Sequence, residues 1–510
     1  MSEASLPLIL QHARVVHGGS PAAKLANGDV LTYAELGARV EARAAQLVGL
    51  GLAAGDRVAI VANNGLGFLE ATFATAWIGA VLVPINTRLA PREIETVLAD
   101  SAARLCLHDR SHGDRVRDLG LGDLGALDLE LSAPPATGIV AHESRPEDLC
   151  HLYYTSGTTG RPKGVILTQR NLCTHALMAI AELGLDASDV WAHVAPQFHL
   201  ADAWANLAIT WVGGRHAFLP RFEAEGALDL FERESITISN LVPTMLNRMV
   251  HHEGAAQRRF PALRRVLSGG APIAPEVVRS IEKVFRAEYV QTYGMTETSP
   301  YLTMSLLSKE ERELPAGERF ARRARTGRPV MGIELEVVGE GDAPVARDDR
   351  QVGEIRVRGA MVTPGYLDRP EETAAAIRGG WLYTGDLARV DARGSVQIVD
   401  RKKDMIVTGG ENVYSTEVEA VLYECEAVLE AAVYGLPDEQ FGERVCAAVV
   451  PKPGHELDAA SLKEHCMDRL AGFKRPRTWR FLDELPRTGS GKIAKRLLVE
   501  GEQPGAKGLG

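Results

Sequence analysis

The stretch YTSGTTGRPKG, residues 154–164, holds four serine and threonine hydroxyls, three glycines and one lysine. The apolar and aromatic run LCHLYY before it predicts a strand, and VILTQRNLCTHALMAIAEL after it begins extended and continues with helical spacing. We therefore expect this loop to join a strand to a helix. Glycines free backbone N–H groups to face an anion, while hydroxyls and a lysine add further donors. The stretch predicts a phosphate-binding loop, with an ordinary surface turn as the alternative.

The loop does not match the P-loop form G-x-x-x-x-G-K-[ST]. Pro162 stands where that form requires glycine, and Gly164 stands where it requires serine or threonine. A second GK pair, in PRTGSGKI (residues 486–493), lacks both the earlier glycine and the following hydroxyl. The sequence therefore disfavours a P-loop NTPase.

Length, charge and cysteine usage exclude several classes of protein. A chain of 510 residues exceeds one ordinary core, so two or more domains are expected. The net charge of -10 argues against a nucleic-acid partner. No apolar run approaches about eighteen residues and MSEASLPL is no signal peptide, which predicts a cytoplasmic protein without a membrane span. The six cysteines lack metal-ligand spacing, so a zinc site is not expected.

Short apolar strands alternate with helical patterns over most of the chain, which predicts an α/β fold with largely parallel sheets. From about Ile333, IELEVV, GEIRVRG and GSVQIVDR alternate apolar and polar residues and predict a smaller antiparallel sheet. After DRKKD (residues 400–404) the pattern predicts a compact α+β unit. We expect an N-terminal domain over residues 1–400, a small mobile C-terminal domain over 401–510 with a hinge near 401–403, and a disordered tail over about 501–510.

Several further loops point to the same chemistry as the first. SGGAP (residues 268–272) and QTYGMTETS (residues 291–299) each follow a predicted strand, where an open parallel sheet places its ligands. WLYTGDLARVDARGSVQIVDRKKDMIVTGGENVYSTEVE (residues 381–419) and LPRTGSGKIAKR (residues 485–496) come later in the chain.

In this order, these stretches resemble the adenylate-forming superfamily of acyl- and aryl-CoA synthetases, luciferases and peptide-synthetase adenylation domains. The resemblance runs from LTYAELGARV (residues 31–40) to residue 496, and it favours the acyl-CoA synthetase branch. It implies ATP and AMP, Mg²⁺ and coenzyme A. A carboxylate attacks the α-phosphate of ATP to give acyl-AMP and pyrophosphate, and a thiol then displaces AMP. The first loop would hold the departing pyrophosphate.

The resemblance assigns nucleotide roles that suit phosphoryl transfer, which needs positive charge and oriented donors. Thr296 would contact the α-phosphate, and Glu297 with Thr155 would hold Mg²⁺. Tyr293 would stack on adenine, while Asp386 and Arg401 would bind the ribose. The remaining nucleotide residues by resemblance are Thr155, Ser156, Gly157, Thr158, Thr159 and Lys163 for the phosphates, and Gly270, Ala271 and Pro272 beside adenine.

Two lysines and one loop would serve the change between the two steps. By resemblance, Lys492 is the catalytic lysine of adenylation, since its long stem can reach both carboxylate and α-phosphate. Lys403 matches the hinge about which the small domain would swing. Gly409, Gly410 and Glu411 would lie along the path of the pantetheine arm, where glycines permit close passage.

The acyl pocket by resemblance centres on APQFHLADAW (residues 195–204). His199 stands where amino-acid activators carry an aspartate, which argues against an amino-acid substrate. The other pocket positions carry small and apolar residues, which predict a large apolar cavity for a hydrophobic carboxylic acid. Trp204 lies one residue beyond a gating position occupied here by Ala203, so a fatty acid and a bulky ring-containing acid both stay open. The pocket residues are His199, Ala203, Val242, Thr244, Ser268, Gly269, Gly294 and Met295.

Three functions compete at this stage. The favoured one is an acyl-CoA synthetase that runs both half-reactions. The second is an adenylating enzyme that loads a carrier protein in trans, or a member that runs one half-reaction on a supplied acyl-adenylate. The third is a non-catalytic nucleotide-binding homologue, which the presence of Lys492, Glu297 and Lys163 disfavours. The sequence leaves the acid, the pathway and a homodimer open.

Overall fold

The computed structural model describes residues 4–24, 28–119, 124–131, 133, 138–156, 162–271, 273–487 and 493–501. The predicted disordered tail falls outside these ranges apart from Gly501. The strands in chain order are β1 Pro21–Lys24, β2 Val30–Thr32, β3 Arg57–Val61, β4 Val81–Pro84, β5 Ala103–His108, β6 Gly125–Asp128, β7 Leu149–Ser156, β8 Pro162–Thr168, β9 Val190–His193, β10 Arg215–Phe218, β11 Ile238–Leu241, β12 Arg265–Ser268, β13 Glu288–Gly294, β14 Tyr301–Met304, β15 Arg328–Pro329, β16 Ile333–Val338, β17 Gly353–Gly359, β18 Ile377–Arg378, β19 Trp381–Val390, β20 Val396–Arg401, β21 Ile406–Thr408, β22 Glu411–Val413, β23 Val428–Asp438, β24 Gly442–Pro451 and β25 Thr478–Phe481.

The α-helices cover the sheets and connect their strands. In chain order they are α1 Leu6–Val16, α2 Tyr33–Gly49, α3 Leu66–Trp77, α4 Pro91–Asp100, α5 Gly113–Arg117, α6 Gln169–Leu183, α7 Leu200–Ala203, α8 Ala205–Val212, α9 Ala224–Arg233, α10 Pro243–Val250, α11 Pro275–Phe285, α12 Lys309–Arg312, α13 Ala316–Ala324, α14 Pro370–Ala376, α15 Ser415–Tyr423, α16 Ala459–Met467 and α17 Lys495–Glu500. Helices in the described residues fall short of the length and apolarity that crossing a membrane requires.

Two large sheets form the first part of the chain. The nine-stranded sheet has the order β15-β14-β13-β12-β11-β9-β10-β1-β2, and the six-stranded sheet has the order β6-β5-β3-β4-β7-β8. Their central strands pair in parallel, whereas β2, β8, β14 and β15 pair with their neighbours in antiparallel fashion. The prediction of an α/β fold with largely parallel sheets is confirmed.

The main core lies between these two sheets. It joins Ile60 and Tyr153 of the six-stranded sheet to Trp191 and Leu267 of the nine-stranded sheet, with side chains of α1, α2, α3, α6 and α8 packed among them. A second core, built with α9, α10 and α11, covers the other face of the nine-stranded sheet. A sheet covered on both faces needs the near-continuous apolar strands that the sequence shows.

Two smaller sheets follow in the chain. Strands β16, β17, β19, β18 and β20 pair entirely in antiparallel fashion, as their alternating sequences predicted. Strands β22, β21, β24 and β23 form the last sheet, to which β25 adds in parallel, and α15 and α16 pack on it around Val418 and Leu462. The domain boundary at residue 400 stays a prediction.

The glycine-rich loop joins two strands, so the prediction of a strand-to-helix loop is wrong. After the loop, β8 pairs with β7 from Pro162 as far as Thr168. Helix α6 begins only beyond this strand, where the Thr168 hydroxyl accepts a hydrogen bond from the Asn171 backbone N–H at 3.2 Å. The N-terminus of α6 is therefore a full strand away from the loop and cannot supply its anion-binding N–H groups.

Candidate active site

The β7–β8 hairpin places two of the predicted phosphate ligands opposite each other. Thr155 and Lys163 are direct partners in the antiparallel register, and both side chains are partly exposed. The tip between them lies outside the described residues, and with it Gly157, Thr158 and Thr159; of Ser156 only the strand is described. The described part of the hairpin thus provides one hydroxyl and one ammonium group side by side.

Tyr366 joins Lys163 to Glu297. The Lys163 ammonium lies over the Tyr366 ring, 5.2 Å from its centroid, and the Tyr366 hydroxyl donates a 3.0 Å hydrogen bond to Glu297 Oε1. Burial, and then the neighbouring Glu297 carboxylate, raise the pKa of Tyr366, so its hydroxyl remains a donor. Glu297 belongs to the short 3-10 turn Thr296–Thr298 and is itself buried. The structure therefore brings the predicted metal carboxylate to the predicted phosphate lysine.

Three of the residues predicted to bind the nucleoside also come together: Tyr293, Asp386 and Arg401. The Tyr293 hydroxyl donates a 2.7 Å hydrogen bond to Asp386 Oδ2, and Arg401 Nε lies 3.1 Å from Asp386 Oδ1. Asp386 and Arg401 are direct partners across β19 and β20. Burial, and then the Asp386 charge, raise the pKa of Tyr293 well above its ordinary value. Asp386 is buried and Arg401 is exposed, which leaves the guanidinium open to a ligand.

The turn after β12 contributes the residues predicted to line adenine. Gly270 has a φ of 87°, a conformation that favours glycine, and the Ala271 carbonyl accepts a 2.9 Å hydrogen bond from Gln291 Nε2 of β13. Gly270 and Ala271 are exposed. Pro272 lies outside the described residues. The turn is thus fixed to the strand that carries Tyr293.

At Gly294 and Gly269 the absence of a side chain does not create open space, so that reason for a large cavity fails, while their place in the acyl pocket stays a prediction. A β-carbon on Gly294 would lie 1.8 Å from the Pro300 carbonyl oxygen, and one on Gly269 would lie 2.5 Å from Thr292 Oγ1. Neighbouring atoms of the β13 region occupy the direction in which each side chain would grow. These glycines are required by close approach to their neighbours rather than by cavity volume.

The other predicted pocket residues sit at the ends of strands and short helices. His199 precedes α7, with its ring 4.7 Å from that of Phe198, and Val242 and Thr244 flank the start of α10. Of the other predicted pocket residues, Ala203 and Ser268 are buried and Met295 is partly exposed. Their role as acyl contacts stays a prediction.

Trp204, next to the gating position, belongs to the core. Its Nε1 donates hydrogen bonds to the Ala201 carbonyl at 3.0 Å and to the Tyr301 hydroxyl at 3.1 Å. Its ring packs edge-on against His175 and Trp191. Trp204 is buried and held by these contacts, so we expect it to be a fixed side chain rather than a moving gate.

A buried polar network of His193, Asp202 and His216 fixes the segment that contains His199. His193 Nδ1 and Asp202 Oδ2 lie 2.6 Å apart, and His193 Nε2 lies 3.0 Å from His216 Nδ1. Burial raises the pKa of Asp202 and lowers that of His216 well below its ordinary value. Since His193 ends β9 and Asp202 lies in α7, this contact closes the loop that carries His199.

The residues predicted for the change between the two steps lie in the C-terminal part of the chain. Gly409, Gly410 and Glu411 are exposed, and the Gly409 N–H donates a 2.7 Å hydrogen bond to the Phe441 carbonyl of the last sheet region. Lys403 is exposed, with its ammonium 3.6 Å from Asp404. Lys492 lies outside the described residues.

The donor set at Glu297 fits magnesium bound together with phosphates. Mg²⁺ in proteins commonly uses one or two carboxylates and completes its shell with phosphate oxygens and water. Glu297 is a buried carboxylate fixed by a tyrosine, and the described residues hold no cluster of three or more His, Cys, Asp or Glu that could form a cage of protein ligands. Sequence reasoning missed Tyr366, whose only signal is the turn-forming PGY in residues 364–366.

Comparison with known proteins identifies the family. The AMP-binding enzyme family matches residues 10–367, and the AMP-binding enzyme C-terminal domain matches residues 417–492. The chain therefore belongs to the AMP-binding enzyme family. This confirms that it is an enzyme of the acyl-CoA ligase group within the adenylate-forming superfamily.

Particular relatives are similar over nearly their full length. A 2-succinylbenzoate–CoA ligase from Geobacillus sp. (strain WCH70) is 37% identical over 472 residues, 92% of each chain. A feruloyl-CoA synthase from Amycolatopsis sp. is 37% identical over 475 residues, 92% of this chain and 93% of the relative. The o-succinylbenzoate CoA synthetase of Bacillus subtilis, solved with its acyl-adenylate intermediate, is 29% identical with a TM-score of 0.86 and covers 99% of each chain. The same synthetase solved with ATP and magnesium gives a TM-score of 0.84 at 29% identity, with 95% of this chain and 98% of that one covered.

Proposed function

We propose that this protein is an acyl-CoA synthetase that activates a hydrophobic carboxylic acid. In the first step a carboxylate oxygen attacks the α-phosphorus of ATP, the acyl–phosphate bond forms and pyrophosphate leaves. In the second step the sulfur of coenzyme A attacks the acyl carbon, the thiol loses its proton, the thioester forms and AMP leaves. The balance needs no reagent beyond acid, ATP and coenzyme A.

The observation that carries this proposal is the position of two charged clusters at one strand end. Tyr293, near the end of β13, contacts Asp386, and Glu297, four residues further on, contacts Tyr366 beside Lys163. A parallel sheet binds ligands beyond the carboxyl ends of its strands. One cluster suits a ribose and its base, and the other suits the phosphates and a divalent cation.

The charges of these clusters match the demands of the first step. Two anions must approach each other, so the Lys163 ammonium and the Thr155 hydroxyl would stabilise the negative charge that gathers on the leaving pyrophosphate. Glu297 would hold Mg²⁺, which supplies positive charge to the phosphate oxygens when bound. Asp386 would accept hydrogen bonds from the ribose hydroxyls, with Arg401 next to it.

The exchange between the two steps is assigned to residues of the C-terminal part. We propose that Lys492 assists adenylation, and that rotation near Lys403 then exchanges it for Gly409, Gly410 and Glu411 at the acyl group. Exposure of Lys403 and of these three residues supports this, because a segment that moves between two positions cannot be packed permanently into a core.

A hydrophobic acid is proposed on the character of the predicted pocket and on the relatives. Trp204, in the same segment as His199, packs its ring against that of Tyr301 in the core. The relatives are named for succinylbenzoate and ferulate, both of which contain an aromatic ring. A ring-containing acid is thus one of the two classes to test, beside unbranched fatty acids.

The test is a panel of carboxylic acids incubated with ATP, Mg²⁺ and coenzyme A, with acyl-AMP and acyl-CoA scored separately by mass spectrometry. We expect at least one hydrophobic acid to give acyl-AMP without coenzyme A and acyl-CoA with it. Acyl-AMP that never becomes acyl-CoA would favour an enzyme that loads a carrier protein or runs the first half-reaction alone. Thioester formation only from supplied acyl-AMP would identify an enzyme of one half-reaction.

A further inference from the structure

Tyr366 holds a position between two groups of opposite charge. Its hydroxyl contacts Glu297 Oε1 at 3.0 Å, and its ring face lies 5.2 Å below the Lys163 ammonium. A tyrosine can make both contacts at once because its ring face attracts a cation while its hydroxyl donates to an anion. The Glu297 carboxylate thus contacts the hydroxyl of Tyr366, while the Lys163 ammonium contacts the face of its ring.

The chain around Tyr366 is fixed to both elements that carry these charges. Along β8, the Ile166 N–H donates to the Gly365 carbonyl at 3.1 Å and the Leu367 N–H donates to the Gly164 carbonyl at 2.8 Å. On the other side, the Thr363 N–H donates to the Glu297 backbone carbonyl at 2.8 Å. Residues 361–367 therefore connect the hairpin of Lys163 to the turn of Glu297.

The Thr363 hydroxyl holds the backbone of residues 361–367 in place. Thr363 Oγ1 donates to the Ile166 carbonyl at 2.6 Å and accepts from the Gly365 N–H at 3.0 Å. These bonds fix the backbone immediately before Tyr366. The Tyr366 side chain therefore projects from a fixed backbone. A residue that positions another residue needs such a support.

We propose that Tyr366 is a positioning residue that orients the Glu297 carboxylate for the divalent cation and keeps it separate from the Lys163 ammonium. Opposite charges in a partly buried site attract strongly and would pair with each other, which would remove both from the phosphates. With the phenol in place, the carboxylate serves the cation and the ammonium serves the phosphate oxygens. This role rests on the proposed function for the identity of the ligands.

The experiment separates the hydroxyl from the ring. Tyr366→Phe removes the bond to Glu297 and keeps the ring beneath Lys163, whereas Tyr366→Leu removes both. Mn²⁺ binding to the protein with α,β-methylene-ATP, followed by electron paramagnetic resonance, reports the cation site without turnover. Binding of the same nucleotide analogue without metal, followed by calorimetry, reports the lysine side of the site.

We expect Tyr366→Phe to weaken Mn²⁺ binding about threefold to tenfold, as for the loss of one hydrogen bond of ordinary net strength, with little change in metal-free nucleotide binding. Tyr366→Leu should weaken both. Tyr383→Phe is the matched control, since it removes a hydroxyl that donates to the Asp342 carboxylate at 2.8 Å outside the two clusters, and it should bind Mn²⁺ as the wild type does.

Two results would overturn the proposal. One is wild-type Mn²⁺ affinity in Tyr366→Phe while Glu297→Gln loses it, and the other is wild-type affinity in Glu297→Gln itself. A chain that shows the expected Mn²⁺ shifts but activates no acid in the panel would instead contradict the proposed function and leave the role of Tyr366 standing.

Discussion

The Tyr293 hydroxyl donates a 2.7 Å hydrogen bond to the buried carboxylate of Asp386. This bond joins the end of β13 in the nine-stranded sheet to β19 of the antiparallel sheet. The Asp386 carboxylate also faces the Arg401 guanidinium, so one buried anion holds together an aromatic ring and an exposed cation. The nucleoside end of the proposed site is therefore organised around Asp386.

Asp386→Asn is expected to raise the KM for ATP about tenfold, which corresponds to about 1.4 kcal/mol. The amide keeps the size of the side chain but loses the charge that strengthens its hydrogen bonds. Steady-state kinetics with ATP and acid varied separately provide the measurement.

Glu334→Gln is the control for Asp386→Asn, since it removes an exposed carboxylate paired with Arg358 on the same antiparallel sheet, where an ion pair contributes little. It should leave both KM values unchanged. An Asp386→Asn enzyme whose KM rises for the acid rather than for ATP would show that Asp386 does not serve the nucleotide.

Lys492→Ala is expected to slow adenylation by a factor on the order of 10² to 10³, which is typical of losing one contact to a developing charge. Thioester formation from supplied acyl-AMP should be much less affected, since the attack on the α-phosphorus is already complete in that substrate. Pyrophosphate release measures the first step, and mass spectrometry of acyl-CoA measures the second. Equal losses in both steps would remove Lys492 from the adenylation role.

Gly294→Ala is expected to destabilise the fold by about 1–3 kcal/mol or more, because the new methyl group would overlap the Pro300 carbonyl and force β13 and β14 apart. Gly226→Ala, in helix α9, is the matched control. There the added carbon would meet Leu219 at an ordinary 3.5 Å, and alanine favours a helix over glycine by about 1 kcal/mol.

Urea unfolding measures both glycine variants, with the acid preference of any folded Gly294→Ala enzyme determined alongside. If that variant were as stable as the wild type but rejected large acids, Gly294 would line a cavity after all.

His151→Phe is expected to reduce the loss of stability in acid. Burial lowers the pKa of His151 from 6.5 to about 3, and neither ring nitrogen has a hydrogen-bond partner among the described residues. Between these two pH values the unfolded chain takes up a proton that the folded chain does not. Stability is therefore complete above about pH 6.5 and decreases as the pH falls toward about 3, by at most about 1.36 kcal/mol per pH unit for this group.

Free energies of unfolding at about pH 7 and about pH 5 provide the test of this linkage. The difference between them should be smaller in His151→Phe than in the wild type. His455→Phe, at an exposed position, should keep the wild-type difference. An unchanged difference in His151→Phe would show that His151 does not contribute to acid sensitivity.

Local sequence patterns were enough to predict strands and the loops at their ends. Tyr293, Glu297 and Asp386 were proposed as site residues because their motifs resemble those of the adenylate-forming superfamily, and periodicity alone did not mark them. Tyr366 was missed because its value comes from Lys163 and Glu297, which are distant in sequence and are brought to it by pairing with β8. Periodicity carries no information on such long-range contacts.

The two errors have the same physical origin. The residues after the glycine-rich loop were read as leading into a helix, but whether an extended run becomes a strand depends on a partner, here β7. Gly294 was read as open space, but a glycine is required equally by a cavity and by a close backbone. Only the position of Pro300 distinguishes the two, and the sequence does not give it.

The most direct test of the central claim follows one oxygen atom. An acid that the protein activates is labelled with ¹⁸O in its carboxyl group and converted to its CoA thioester with ATP, and the AMP is then analysed by mass spectrometry. If the carboxylate attacks the α-phosphorus, the AMP must carry one labelled oxygen and the pyrophosphate none. Unlabelled AMP formed together with the thioester would contradict an acyl-adenylate intermediate and with it the proposed function.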